Sequence, residues 1–152
     1  MIQSIYLDTS VFGGYFDTEF SSPTVLFFER IFEEKISVII SEMLLSELEK
    51  APAKVRDLLN LIPEAQIKNV VIDTEVEFLA QSYIKEKVVG KTSYADCLHI
   101  ALPTKSHATV LASWNFKHIV NIDRIRGYNA VNLKLGYQYL DIFSPLELRN
   151  YE

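Results

Sequence analysis

The chain has 152 residues, of which 49% are apolar and 23% charged, and its formal net charge is −5. This composition is typical of one folded domain with its own hydrophobic core, and it excludes a disordered, collagen-like or low-complexity chain. One cysteine, Cys97, and three histidines are too few for an internal disulfide or a conventional zinc module, so we expect a reducing, cytoplasmic location. No apolar run approaches the ~20 residues that span a bilayer, and the first apolar stretch meets Asp8 too soon for a signal peptide, so we expect neither export nor membrane insertion.

Strands and helices alternate in the predicted secondary structure. Short β-branched runs predict the strands, and apolar residues at helical spacing between capping residues predict the helices. In chain order we predict a strand at 2–7, a loop with Gly13 and Gly14, a helix at 23–32, a strand at 36–40, helices at 42–51 and 55–62, a strand at 70–72, a helix at 75–89, a helix from Thr92 or Ser93 to Leu102, where Pro103 ends it, a strand at 108–112, a helix at 122–128 and a last strand at 137–142.

This alternation predicts the fold class. Strands that alternate with helices at this chain length indicate a three-layer α/β/α sandwich around a mostly parallel sheet. The nearly continuous β-branched run at 36–40 suits a buried parallel strand. We therefore expect a single domain over residues 1–152.

Acidic and amide side chains fall where ligands bind in such a fold, at the carboxyl ends of the strands. Asp8 directly follows the first strand, Asn115 follows the fourth, and Asp96 lies in the first turn of a helix. Glu47 is about two turns into the helix after the second strand, so it joins them only if that helix lies suitably. Crowded carboxylates need a neutralising cation, and oxygen ligands suit Mg²⁺ or Mn²⁺. A cation of this kind can activate water against a phosphodiester.

Four short motifs in the same order resemble those of the PIN-domain family, which includes VapC-type ribonuclease toxins and related stand-alone proteins. They cover about residues 2–120 and read Tyr6-Leu7-Asp8-Thr9-Ser10-Val11, Ser46-Glu47-Leu48, Ala95-Asp96-Cys97-Leu98-His99-Ile100-Ala101 and Leu111-Ala112-Ser113-Trp114-Asn115-Phe116-Lys117-His118-Ile119. Each motif is weak alone, but four in order are fairly specific.

The resemblance implies a metal-dependent endoribonuclease in which Asp8, Glu47 and Asp96 are the metal ligands. Thr9 or Ser10 would supply a hydroxyl to the metal shell or the scissile phosphate. Many PIN nucleases carry a fourth acid near the end of the fourth strand, where this chain has Asn115. We expect Asn115 to assist catalysis through its amide, with one tightly held Mg²⁺ or Mn²⁺. Asp123, Asp17 and Glu19 are weaker candidates for the missing acid.

The resemblance also implies partners, namely RNA as substrate, a second copy of the chain in a homodimer, and an antitoxin segment if the protein is the toxin of a type II toxin–antitoxin pair. The alternative function is a PIN-fold module that binds RNA or protein but cleaves little, because its fourth site is an amide. A phosphatase with Asp8 as nucleophile is disfavoured, because Ser10 stands where that chemistry needs a second acid.

Positive charge is concentrated in the second half of the chain. Residues 1–84 carry six Lys and Arg against fourteen Asp and Glu, whereas residues 85–152 carry nine against six. We expect Lys91 and Lys117 to bind substrate phosphates at the rim of the acidic site. Solvated lysines at helix ends are an equally good interpretation.

Several residues have a structural interpretation beside a functional one. His99, one turn after Asp96, is expected to be a hydrogen-bonded core histidine rather than a general base. Trp114 could stack on a base but is expected to pack in the core. The aromatic first long helix, with Phe27, Phe28 and Phe32, is either core or an exposed groove for another chain.

Overall fold

The structure, a computed structural model, describes residues 1–151, which form five parallel strands and eight α-helices. The strands are β1 (Ser4–Leu7), β2 (Ser37–Ser41), β3 (Ile67–Val70), β4 (Val110–Ala112) and β5 (Asp141–Phe143). The helices are α1 (Thr9–Gly14), α2 (Ser21–Glu33), α3 (Glu42–Glu49), α4 (Ala53–Leu58), α5 (Thr74–Lys85), α6 (Tyr94–Lys105), α7 (Ile122–Lys134) and α8 (Pro145–Leu148). No helix among these residues has the length and apolar character to cross a bilayer.

The sheet has the order β3-β2-β1-β4-β5, and every neighbouring pair is parallel. Two hydrophobic clusters cover its two faces, because side chains alternate along each strand. In β1, Ile5 and Leu7 enter one cluster while Tyr6 enters the other. Helices α1 to α4 and α8 pack on the first face, and α5 to α7 on the second. The predicted three-layer α/β/α fold with a parallel sheet is therefore confirmed.

The segment after β1 differs from its prediction, because it folds as helix α1 rather than a loop. Glycines 13 and 14 disfavour a helix locally, but burial of Val11 and Phe12 in the core stabilises it. Asp8 has extended backbone geometry at the N-cap position of this helix. The helix thus begins directly at the first candidate site residue.

Helix α6 was also predicted wrongly at its end, because it continues past Pro103 to Lys105. A proline inside a helix costs about 3 kcal/mol. Here the residues from Cys97 to Thr104 are all buried. Their packing outweighs the lost backbone hydrogen bond.

Several other strand and helix boundaries differ from their predictions, because contacts in the folded protein determine them. The third strand lies at 67–70 instead of 70–72, in register with β2 from Val38 opposite Ile67 to Ser41 opposite Val70. The last strand begins four residues later than predicted, helix α5 ends four residues earlier and α7 extends six residues further. Helix α4 ends at Leu58 and is followed by a 3₁₀ turn, and α8 was not predicted.

The aromatic helix α2 belongs to the core rather than to an exposed groove. Phe27, Phe28 and Ile31 have no exposed surface, and Phe32 packs against the same cluster. This outcome settles the alternative that the sequence left open for this helix.

Gly14 allows α1 to approach Trp114 closely. A Cβ at Gly14 would lie 2.6 Å from both Cδ1 and Nε1 of Trp114, whereas a Cβ at Gly13 meets nothing within 4 Å. We expect Gly14→Ala to lower the free energy of unfolding by about 1–3 kcal/mol through overpacking. We expect Gly13→Ala to raise it by about 0.5–1 kcal/mol through helix propensity. Urea unfolding followed by the fluorescence of the single tryptophan measures both, and equal stability of the two variants would contradict the packing argument.

Candidate active site

The carboxyl ends of β1 and β4 bring the first group of site residues together. These two strands are neighbours, and the backbone N–H of Asp8 donates to the carbonyl of Ala112 at 3.0 Å. Ser113 therefore lies beside Asp8, and its Oγ donates to Asp8 Oδ2 at 2.7 Å. Ser10 Oγ donates to the same oxygen at 2.7 Å. Two hydroxyls thus hold one oxygen of a carboxylate that is only 6% exposed.

Glu47 reaches the same edge of the sheet. Ser41 ends β2 and caps α3 by accepting from the N–H of Leu44, which directs the helix back across this edge. The Oε1 atom of Glu47 accepts from Thr9 Oγ1 at 2.6 Å and lies 2.5 Å from His99 Nε2. The condition that the sequence set for Glu47, a suitably placed helix, is therefore met.

Asp96 joins the group from the first turn of α6. The Nδ2 atom of Asn115 donates to Asp96 Oδ1 at 3.2 Å. Burial raises the pKa of Asp96, the charge on His118 lowers it, and the negative charges of Asp8 and Glu47 raise it again, so the net shift is upward. The hydrogen bond from Asn115 thus links Asp96 to the loop after β4, the strand that pairs with β1.

His99 ties the cluster to the core. It is 2% exposed, its Nδ1 lies 2.7 Å from the hydroxyl of Tyr6, and its Nε2 faces Glu47 and, at 3.6 Å, Asp8 Oδ1. Burial lowers the pKa of His99, but the hydrogen bond to Glu47 and the charges of the three acids outweigh it and raise the pKa above its usual value. The hydroxyl of Tyr6 also contacts Ser41 Oγ at 2.8 Å.

Sequence analysis predicted correctly that His99 is a hydrogen-bonded core histidine. It did not predict the contacts of His99 with Tyr6 and Glu47. Tyr6 looked like one more apolar strand residue, and its role depends on the neighbouring strand and on α6. The available signal was the helical spacing of Asp96 and His99, which places both on one side of α6. Ser113 and His118 were not singled out either.

Asn115 occupies the predicted position but is already engaged. Its Oδ1 accepts from the backbone N–H of His118 at 3.0 Å, while its Nδ2 donates to Asp96. The amide therefore fixes the loop after β4 and orients Asp96.

The remaining candidate residues are exposed on the surface. Lys91 and Lys117 are exposed and form no ion pair within residues 1–151. Asp17 Oδ1 accepts from the N–H groups of Glu19 and Phe20, so it stabilises the turn before α2. Asp123 is exposed in the first turn of α7.

The chemistry of the donor set fits a hard divalent cation. Within residues 1–151, hydrogen bonds engage Oδ2 of Asp8, Oε1 of Glu47 and Oδ1 of Asp96, which leaves the other oxygen of each carboxylate for a ligand. Oxygen donors of this kind suit Mg²⁺ and Mn²⁺. Across the same residues, no group of three His, Cys, Asp or Glu side chains is arranged so that it could hold a metal ion without a change in side-chain positions. The present hydrogen-bond partners of the three carboxylates are hydroxyl groups, the imidazole of His99 and the amide of Asn115.

The chain belongs to the PIN-domain family. The model of the PIN domain matches residues 5–120, which include β1, the cluster and the loop after β4. Members of this family are typically nucleases and generally use divalent metal ions. No curated protein matches the sequence at a significant level.

Solved structures share the fold at low sequence identity. One is a chain of the crystal structure of VapBC2 from Rickettsia felis bound to a DNA fragment from their promoter, with 14% identity, a TM-score of 0.56 and coverage of 93% of this chain and 98% of that one. Another is a chain of FitAB bound to an IR36 DNA fragment, with 18% identity, a TM-score of 0.57 and coverage of 97% of each chain. At these identities the likeness establishes the fold.

Proposed function

We propose that this protein is a metal-dependent endoribonuclease that hydrolyses RNA phosphodiester bonds. The observation that supports the proposal is a PIN domain in which Asp8 and Glu47 both lie against His99 at one edge of the sheet. Asp96 lies one helical turn before His99 and accepts from Asn115 in the loop after β4. These three carboxylates would hold Mg²⁺ or Mn²⁺. When bound, the cation supplies an activated water and neutralises the charge that develops on the phosphate.

The residues around the acids prepare them for this task. Ser10 and Ser113 fix one oxygen of Asp8, and Thr9 fixes one oxygen of Glu47, so the other oxygens are left for a ligand. A hydroxyl of Thr9 or Ser10 that turns from its carboxylate would contact the scissile phosphate. Asn115 assists by orienting Asp96. This preorganisation lowers the cost of arranging the site during the reaction.

We assign substrate binding to two exposed lysines that lie close in sequence to Asp96 and Asn115. Lys91 lies in the 3₁₀ turn that leads into α6, and Lys117 lies two residues after Asn115. Positive charge at these places attracts the phosphate backbone, which the net negative charge of the chain would otherwise repel.

The structural neighbours support a proposal about the partners. VapBC2 and FitAB are two-component assemblies bound to DNA fragments. By analogy we propose that this chain is the toxin of a type II toxin–antitoxin pair, that it acts in the cytoplasm as a homodimer, and that an antitoxin protein inhibits it. A small DNA-binding protein encoded beside the chain would support this role.

The second candidate is a PIN-fold module that binds RNA or protein with little or no cleavage. The specific observation in its favour is Asn115, because an amide brings no negative charge for a second cation and both of its polar atoms already have protein partners. Metal binding without turnover would identify this function.

The test is cleavage of a mixed pool of structured RNA in Mn²⁺, Mg²⁺ or EDTA. We expect metal-dependent cleavage that Asp96→Asn reduces at least about 100-fold, because the substitution keeps the shape but removes a ligand charge. Asp57→Asn, the same substitution at an exposed acid of α4 that is not among the candidate site residues, is the matched control and should cleave normally. Absence of cleavage by the folded protein free of antitoxin would favour the binding module, and equal cleavage by Asp96→Asn would exclude this site.

A further inference from the structure

Phe116 is an exposed aromatic residue in the loop after β4, next in sequence to a residue that contacts the acid cluster. It follows Asn115, whose side chain donates to Asp96, and 49% of Phe116 is exposed. Lys117, the next residue, is exposed as well. Consecutive residues of the loop after β4 thus carry an exposed apolar ring and an exposed ammonium group.

The ring of Phe116 packs against two other aromatic rings. Its ring centroid lies 5.9 Å from that of Trp114 and 6.3 Å from that of Phe20, and these two rings stack on each other at 4.2 Å. Trp114 is 8% exposed, and its Nε1 donates to buried Thr24 Oγ1 at 2.9 Å. Trp114 is therefore a core residue, as expected, and Phe116 is the most exposed of these three aromatic rings.

The backbone of this loop is held firmly. The carbonyl oxygens of Phe116 and Lys117 both accept from Asn121 Nδ2 at 2.9 Å. The backbone N–H groups of Ile119 and Val120 both donate to the carbonyl of Asn115. A ring fixed in this way loses little conformational freedom when a ligand stacks on it.

Phe16 is a second exposed aromatic residue close in sequence to Asp8, but its ring is less free to stack on a base. Phe16, in the segment after α1, is 37% exposed, but the ammonium of Lys54 lies over its ring at 5.3 Å from the centroid. One face of Phe16 is therefore already occupied, which leaves Phe116 as the better platform.

We propose that Phe116 is a stacking platform for a base of single-stranded RNA and helps to select single-stranded segments for cleavage. The inference rests on the proposed nuclease function and deepens it. A base stacked on Phe116 would place its phosphate within the field of Lys117 and the next phosphates near the acids. Single-stranded segments expose base faces, whereas a duplex buries them in its own stack.

The experiment measures the affinity for a short labelled single-stranded RNA of mixed sequence by fluorescence anisotropy in Mn²⁺. The Asp96→Asn protein serves as the parent, so that the RNA stays intact. We expect Phe116→Ala to weaken binding about 5- to 100-fold, the usual range for loss of one base–aromatic stack. Phe116→Leu, which keeps apolar packing on Trp114 but has no aromatic face, should bind as weakly, and Phe116→Tyr should bind like the parent.

Phe78→Ala is the matched control, because Phe78 is an exposed ring on α5 that belongs to no part of the site. It should bind like the parent. A parent that does not bind the RNA, a Phe116→Leu protein that binds like the parent, or a Phe116→Ala protein that changes only its oligomeric state would overturn the platform. The last result would assign the ring to a protein interface instead.

Cleavage by the otherwise native protein separates this inference from the function on which it rests. If the native protein binds the RNA through Phe116 but does not cleave it, the nuclease proposal fails and the platform stands. If the native protein cleaves and Phe116→Ala leaves KM unchanged, the platform fails and the nuclease stands.

Discussion

Replacing Asp8 with asparagine is expected to lower metal-dependent RNA cleavage about 1,000-fold while the protein stays folded. The amide oxygen can take the place of Oδ2 and accept from Ser10 and Ser113, so both hydroxyl contacts survive. The amide nitrogen then replaces Oδ1, the oxygen that points toward His99 Nε2 and the proposed cation. A donor at this place cannot bind a metal, and loss of charge stabilisation at a reacting centre costs roughly 10²–10³ in rate for a single group.

The measurement is the rate of RNA cleavage at saturating Mn²⁺ together with thermal unfolding in EDTA. Asp57→Asn is the control, since Asp57 is an exposed acid of α4 outside the candidate site. Unchanged cleavage by Asp8→Asn would remove Asp8 from the catalytic group. A large loss of folded protein would instead show that the charge of Asp8 is structural.

Replacing Asn115 with aspartate is expected to destabilise the protein more in the absence of metal than in its presence. In EDTA, the substitution removes the hydrogen bond from Nδ2 to Asp96 and sets two carboxylates against each other. We expect the free energy of unfolding to fall by about 1–2 kcal/mol, and Tm by about 3–8 °C. With Mn²⁺ the added carboxylate becomes a ligand, so the loss should shrink or reverse.

The Asn115→Asp variant also tests the effect of an amide at position 115, where many PIN nucleases carry a fourth acid. We expect about tenfold higher cleavage at limiting Mn²⁺, because an added negative ligand strengthens the binding of a hard cation. Differential scanning fluorimetry across a Mn²⁺ titration, combined with initial rates, provides both readouts. Asn115→Ala removes the hydrogen bond without adding charge, and an equal response of the two variants to Mn²⁺ would contradict a metal site beside Asp96.

The position of Asp8 and Asn115 could be predicted from sequence because parallel strands end at one edge of a sheet. Asp8 directly follows β1 and Asn115 lies three residues after β4, so strand order alone predicted that both lie at this edge. Glu47 was different, since it lies inside a helix, and only the direction of α3 decides whether its side chain reaches that edge. The family resemblance included Glu47, but local pattern alone did not place it.

The errors share a physical cause, which is tertiary packing that outweighs local preference. Gly13 and Gly14 indicated a loop and Pro103 a helix end, yet burial of the surrounding side chains stabilises helix at both places. The link from Tyr6 through His99 to Glu47 joins residues that lie 93 and 52 positions apart. No periodic pattern reports contacts of that range, so the structure was needed to find them.

A crystal structure with Mn²⁺, with the metal located by its anomalous scattering, tests the central claim most directly. The account predicts one strong peak at about 2.1 Å from oxygens of Asp8, Glu47 and Asp96, with Glu47 still near His99. Soaking the Asp8→Asn protein in the same solution should give no peak there. A native structure at saturating Mn²⁺ with no peak between these carboxylates, or with its metal bound elsewhere, would contradict the account.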